Sequence, residues 1–256
     1  MINVYCKDKG WLFEDLKQLI ASYGAVASEK PLKDADAWIC IRSRELVLSP
    51  NTRKTVCQVH DLNTGDLNCG HVSLVHPEQY KKSYVNYTVD PIGSRDVPLG
   101  DLPVIPTIGF FCREQMGLKR SEMFKKAVNI ARESVEFAVL MIGDNLEGIS
   151  DIGVYEKRPA VVEDYKRIDA LVTCSVSSMI PLSVYEAISC GRAIVTTPRN
   201  FIEDYDGIFT GKDEFEIAEH IVSVVRDRKK YDPFTPFSRN DWARKQVEYA
   251  RGLICK

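Results

Sequence analysis

The chain has 256 residues, 45% of them hydrophobic and 27% charged, with a formal net charge of -2. This is the make-up of a folded globular protein with room for one large domain or two ordinary ones, and it argues against a disordered polyelectrolyte or a protein that coats nucleic acid by charge alone. The eight cysteines stand singly, most of them inside apolar runs and none in a C-x-x-C pair, which points away from zinc and dithiol centres towards buried free thiols.

The opening Ile2–Cys6 is a short β-type run rather than a basic-then-apolar leader, and no apolar run approaches the ~20 residues needed to span a bilayer, so a cytoplasmic protein is expected. A polar turn ending in Gly10 leads into Trp11, Leu12, Phe13, Leu16, Leu19 and Ile20 at helical spacing, the opening of a Rossmann-like unit. Gly10 would let backbone approach a phosphate, and serves equally as a plain structural turn. Ala25–Ser28, Ala37–Ile41, Thr55–Val59 and Gly70–Val75 read as further strands. His60 follows the third of these, on the edge where such sheets place function, although a lone histidine is more often structural.

Between Tyr84 and Pro106 the texture changes. Pro91, Pro98, Pro103 and Pro106, with Gly93 and Gly100, interrupt any helical period, so a crossing between domains is expected there. A second α/β unit starts with the strand Thr107–Cys112, followed by Arg113, Lys119 and a helix whose apolar face carries Met123, Ala127, Ile130 and Ala131. Phe137–Ile142 is continuously apolar, as a strand buried on both faces requires, and Glu156–Arg158 lies in the segment beyond it.

Ser175–Thr197, SVSSMIPLSVYEAISCGRAIVTT, follows the apolar run Ala170–Cys174. Pro181 suits the first turn of a helix and Gly191 the residue past its end, so the segment reads as loop, helix and a second strand, Ala193–Thr197. The loop before such a helix presents backbone N–H groups at the carboxyl end of a parallel strand, where anions bind. Glu186 stands about one turn into the helix, and a carboxylate there can accept from vicinal sugar hydroxyls. The amphipathic stretch Glu214–Val225 and a last helix starting near Ser238 complete the chain.

PLSVYEAISCGRAIVTT resembles the donor-site signature of nucleotide-sugar glycosyltransferases of family 4, the glycosyl transferases of group 1, with the GT-B fold. The resemblance is specific from about Thr107 to Thr197 and topological over the first hundred residues. It implies two Rossmann-like domains with parallel sheets facing a cleft: an acceptor domain over 1–103, a donor domain over 104–238, and a helix over 239–256 returning to the first domain. It also implies transfer of a sugar from a UDP- or GDP-sugar to an acceptor hydroxyl, retention of anomeric configuration, and no metal or other cofactor.

By position, Arg113 and Lys119 would face the diphosphate, whose developing charge fixed cations stabilise as the glycosidic bond breaks. Glu186 would hold the ribose hydroxyls, with backbone N–H groups around Pro181, Leu182 and Ser183 at the helix start. Glu156 and Arg158 would lie by the base, and Gly10 and His60 on the acceptor side. One departure stands out: the family pairs two glutamates eight positions apart, and the position eight before Glu186 is Ser178. That departure keeps a binding protein without turnover among the alternatives, beside a GT-B epimerase. The acceptor is left open between nucleic acid and glycan.

Overall fold

A computed structural model describes residues 1–7, 11–59, 67–74, 87–89, 92, 95, 97, 99–113, 118–176, 181–198, 205–233 and 238–255. The chain divides into two compact units, Met1–Gly93 with Phe237–Lys256, and Ser94–Pro236.

The first unit holds β1 (Ile2–Tyr5), α1 (Trp11–Ser22), β2 (Val26–Ser28), β3 (Ala37–Cys40), β4 (Thr55–Val59), β5 (His71–Leu74) and β6 (Tyr87–Val89), with α5 (Arg239–Ile254) packed against α1, β3 and β4. Its strands are all parallel in the order β2-β1-β3-β4-β5-β6, so the order reverses beside β1. β1, β3 and β4 are buried along their whole length, which their runs of Val, Ile, Trp and Cys permit. Strand β6 falls inside the proline-rich stretch read from sequence as crossing chain. Three residues are enough to extend a parallel edge, and its prolines lie outside the strand.

The second unit holds β7 (Thr107–Arg113), α2 (Ser121–Arg132), β8 (Ala138–Asp144), β9 (Val154–Glu156), β10 (Ala170–Thr173), α3 (Leu182–Ser189), β11 (Ala193–Thr196), β12 (Ile208–Thr210) and α4 (Glu214–Asp227). Its parallel sheet runs β12-β11-β10-β7-β8-β9, the Rossmann order, with the reversal between β7 and β10. Alternate residues feed two cores. Phe110, Met141, Val172 and Val195 pack on the side of α2 and α4, while Phe111, Ile142, Leu171 and Ile194 pack with Val184 and Ile188 of α3. Burial on both faces is why these strands read as unbroken apolar runs rather than alternating ones. Strand β12 falls in a segment that carries no such run.

Two glycines set the ends of elements around the reversal. Gly143, at the carboxyl end of β8, has φ +152 and sits so close to β7 that an added Cβ would lie 1.6 Å from the Cys112 carbonyl oxygen. Gly191 has φ +68 just past α3, where its N–H donates to the Ile188 carbonyl and its own carbonyl accepts from the Tyr231 N–H.

Candidate functional site

The carboxyl ends of β7 and β10 border the reversal, and the chain leaving each strand meets the other's. Arg113 is the last residue of β7, in register with Asp144 of β8. Past β10, the Val176 N–H donates to the Leu118 carbonyl at 2.9 Å, which ties the start of the signature loop to the turn carrying Lys119. Arg120 closes that turn at φ 50 and leads into α2. Helix α3 begins at Leu182, with Pro181 capping it in extended conformation (φ -63, ψ 142), one position ahead of the first helical turn. Leu182 and Ser183 are half-buried at this helix start.

Glu186 is buried, and its carboxylate is held from two sides. Arg95 Nε–H donates to Oε1 at 2.7 Å and Arg95 Nη2–H to Oε2 at 3.2 Å, a two-pronged fork. The Tyr165 hydroxyl donates to Oε2 at 2.6 Å. Arg95 Nη2 also donates to the Ala160 carbonyl at 3.1 Å, and Tyr165 is fixed in place by an edge contact with Phe111 at 5.3 Å between ring centroids. Burying a carboxylate costs several kcal/mol unless charge-assisted donors meet it, as the Arg95 fork and the Tyr165 hydroxyl do here. To bind ribose, Glu186 must exchange some of them.

Glu156 and Arg158 satisfy one another and two neighbours. Arg158 grips Asp164 with both Nη atoms at 2.7 Å and donates from Nε to Glu156 at 2.8 Å. Arg167 bridges the same two carboxylates at 2.7 and 3.0 Å. Asp164 also accepts from the Val161 N–H at 2.7 Å, closing the short 3-10 turn Val162–Arg167. Burial pushes the Asp164 carboxyl up, but Arg158, that N–H and Arg167 outweigh it and hold the group below its ordinary 3.8. Glu156 is lowered too, first by Arg167. The side chains of Glu156 and Arg158 thus brace the segment after β9, and they would meet a base only by leaving these partners.

Gly10, His60 and Ser178 lie outside the described residues. Arg95, Tyr165 and Arg192 were not singled out from sequence. Arg192, fully buried within the signature, donates to the carbonyls of Tyr165 (2.9 Å), Asp101 (2.9 Å) and Gly100 (3.3 Å), so it staples the proline-rich crossing beneath α3. The signal available in advance was an arginine in an otherwise apolar run, Cys190–Thr197. Nothing comparable marks Arg95, whose partner lies 91 residues away. Among the described residues no group of three His, Cys, Asp or Glu could hold a metal ion, and no helix is long and apolar enough to cross a membrane.

Comparison with solved structures places this architecture in a class. The pneumococcal O-GlcNAc transferase GtfA, solved with UDP and GlcNAc, superposes with a TM-score of 0.56 at 11% identity over 85% of this chain and 55% of its own. HepE of Anabaena, solved with UDP and glucose, gives 0.62 at 12% over 97% of this chain and 80% of its own. The lipopolysaccharide outer core galactosyltransferase WaaB gives 0.59 at 12%, over 98% and 97%. The chain thus has the α/β architecture of GT-B glycosyltransferases. It spans 58% of the GtfA/B chain and 52% of S. aureus TarM, about half of each. No curated protein sequence matches it. Residues 105–227, within the second unit, match the family described as glycosyl transferases group 1.

Proposed function

We propose that the chain is a glycosyltransferase that moves a hexosyl group from a nucleoside diphosphate sugar to an acceptor hydroxyl with retention of configuration. The observation that carries this reading is the start of α3, with Glu186 one turn in, at the sheet reversal of the unit that matches the group 1 family. There, Arg113 and the turn holding Lys119 flank the exit of β7, the position for cations on a leaving diphosphate. Backbone N–H groups of Leu182 and Ser183 face the same edge, and Glu186 takes the ribose hydroxyls. The base lies against the segment after β9, near Glu156 and Arg158, and is read through backbone groups. UDP is the favoured carrier, in line with the ligands of GtfA, TarM and HepE, with GDP the alternative. The first unit supplies the acceptor side through Gly10 and His60, in the cytoplasm, for a glycan or nucleic-acid acceptor.

Ser178 favours a second reading. A neutral hydroxyl in place of the first glutamate suits a protein that binds a nucleotide sugar without turning it over. Incubation with UDP-, GDP- and ADP-sugars separates the two: release of free nucleoside diphosphate with a sugar-bearing product, read by mass spectrometry, is expected. Saturable binding with the donor recovered intact overturns transfer in favour of the binding protein, and recovery of an isomerised donor overturns both.

A further inference from the structure

We infer that Arg95 is an internal occupant of the nucleoside-hydroxyl subsite, which a donor must displace from Glu186 in order to bind. The inference rests on the donor-site reading above.

Two vicinal hydroxyls that donate to one carboxylate use both oxygens along their common edge. The Arg95 fork, Nε–H to Oε1 at 2.7 Å and Nη2–H to Oε2 at 3.2 Å, lies along that edge. Of the two partners the guanidinium is the outer one, with 29% of the Arg95 side chain exposed against 5% of Glu186. A ligand approaching the carboxylate therefore meets the arginine first. Two further contacts make the exchange feasible. Tyr165 is buried and holds Oε2 at 2.6 Å from the inner side, so the carboxylate keeps an anchor when the fork leaves. The Ala160 carbonyl accepts from Nη2 at 3.1 Å, so the guanidinium also has a partner away from the carboxylate on the same unit. Binding then swaps two N–H donors for two O–H donors on a fixed carboxylate. Only a sugar with both hydroxyls restores what is given up, because a ligand lacking them that displaces the fork does not replace the two N–H donors the buried carboxylate loses. The interaction between Arg95 and Glu186 is subtracted from the affinity for the ribonucleotide. A ligand with no vicinal hydroxyls can bind with the fork in place, and its affinity carries no such penalty.

Calorimetry on the full chain with UDP and 2′,3′-dideoxy-UDP, and with the guanosine pair, tests this. Arg95→Gln should bind the ribonucleotide about tenfold more tightly, while affinity for the dideoxynucleotide stays unchanged. Arg95→Lys, which keeps the charge but cannot form the fork, should fall between wild type and Arg95→Gln, and it provides the measurement if Arg95→Gln does not fold. Unchanged or weaker ribonucleotide binding in both variants overturns the inference, since an arginine that orients Glu186 for the ligand predicts weakening. The donor-site reading fails by a different sign: adding Glu186→Gln to Arg95→Gln then leaves ribonucleotide affinity where Arg95→Gln alone put it.

Discussion

Each of the two sheets reverses its strand order once, and a buried glutamate stands beside each reversal. In the first unit Glu45 follows β3 and accepts the Lys7 backbone N–H at 3.0 Å, just past the end of β1. In the second, Glu186 is held by side chains, the Arg95 fork and the Tyr165 hydroxyl. A carboxylate met at its own sheet edge by a backbone N–H and a buried thiol fixes the course of the chain and has little to exchange. One satisfied by a long, half-exposed arginine can trade that partner for a ligand, because the partner can leave without moving the sheet. Similar folds thus yield a structural glutamate at one reversal and an exchangeable one at the other. The second unit is also stapled by charge elsewhere in its sheet: Arg192 under α3, the Arg158–Glu156–Asp164–Arg167 brace, and Arg228 on Asp169.

The contrast is tested hardest at Arg192. Arg192→Met keeps much of the volume but leaves the Tyr165, Asp101 and Gly100 carbonyls without their buried donor. A loss of about 3 kcal/mol or more is expected, since each hydrogen bond to a charged group is worth roughly 1.5–3 kcal/mol and unmet buried acceptors add to that. Urea unfolding measures it. An unmoved midpoint would mean that the second unit does not depend on its charged staples, and the contrast drawn above would fail.

What could be read from the sequence was whatever leaves a periodic or punctuated trace. The strands Thr107–Arg113 and Ala170–Thr173 stand out as apolar runs, and α3 is bracketed by Pro181 and Gly191, because local sterics dictate those positions. The short strands Tyr87–Val89 and Ile208–Thr210 leave no such trace, since three residues paired at a sheet take their conformation from the neighbouring strand. Glu186 is singled out in the sequence by the signature around it. Its partners are not: Arg95 sits in a proline-rich crossing and Tyr165 in a 3-10 turn, and nothing local announces that they converge on one carboxylate.

A smaller effect is expected from Arg158→Gln. It removes the two-pronged grip on Asp164, but Arg158 is 35% exposed and Arg167 remains at 3.0 Å, so screening limits the loss to roughly 1 kcal/mol at neutral pH. The pH dependence carries the sign. Asp164 is held below 3.8 in the fold, so its contribution is present above that value and is lost as pH falls through the lowered one. Without Arg158 the folded value moves back up, and acid unfolding should begin at a higher pH than in wild type. An unshifted acid limb in the variant would show that Arg167 and the Val161 N–H suffice.

The smallest effect belongs to the first unit and lies in the pH dependence of its stability. Burial pushes the Cys6 thiol from 9.0 up to about 12, and the nearby Glu45 carboxylate adds to the shift. The fold therefore holds this thiol neutral, whereas the unfolded chain releases its proton near 9.0. The resulting stability is complete below pH 9 and drains away as pH rises towards 12, because the unfolded state binds fewer protons over that range. Cys6→Ala should remove this term and flatten the alkaline limb of stability between pH 9 and 11, by about 1 kcal/mol at pH 10, on top of a pH-independent loss from truncating a buried side chain. Glu45→Gln supplies the matching control, since it takes away the carboxylate but leaves the burial. The alkaline loss should then shrink only in part, and urea midpoints across pH 7–11 measure both. If Glu45→Gln flattens the limb as fully as Cys6→Ala, the charge rather than the burial governs the thiol. Glu45 would then be more than a backbone clamp, and the difference between the two glutamates would narrow.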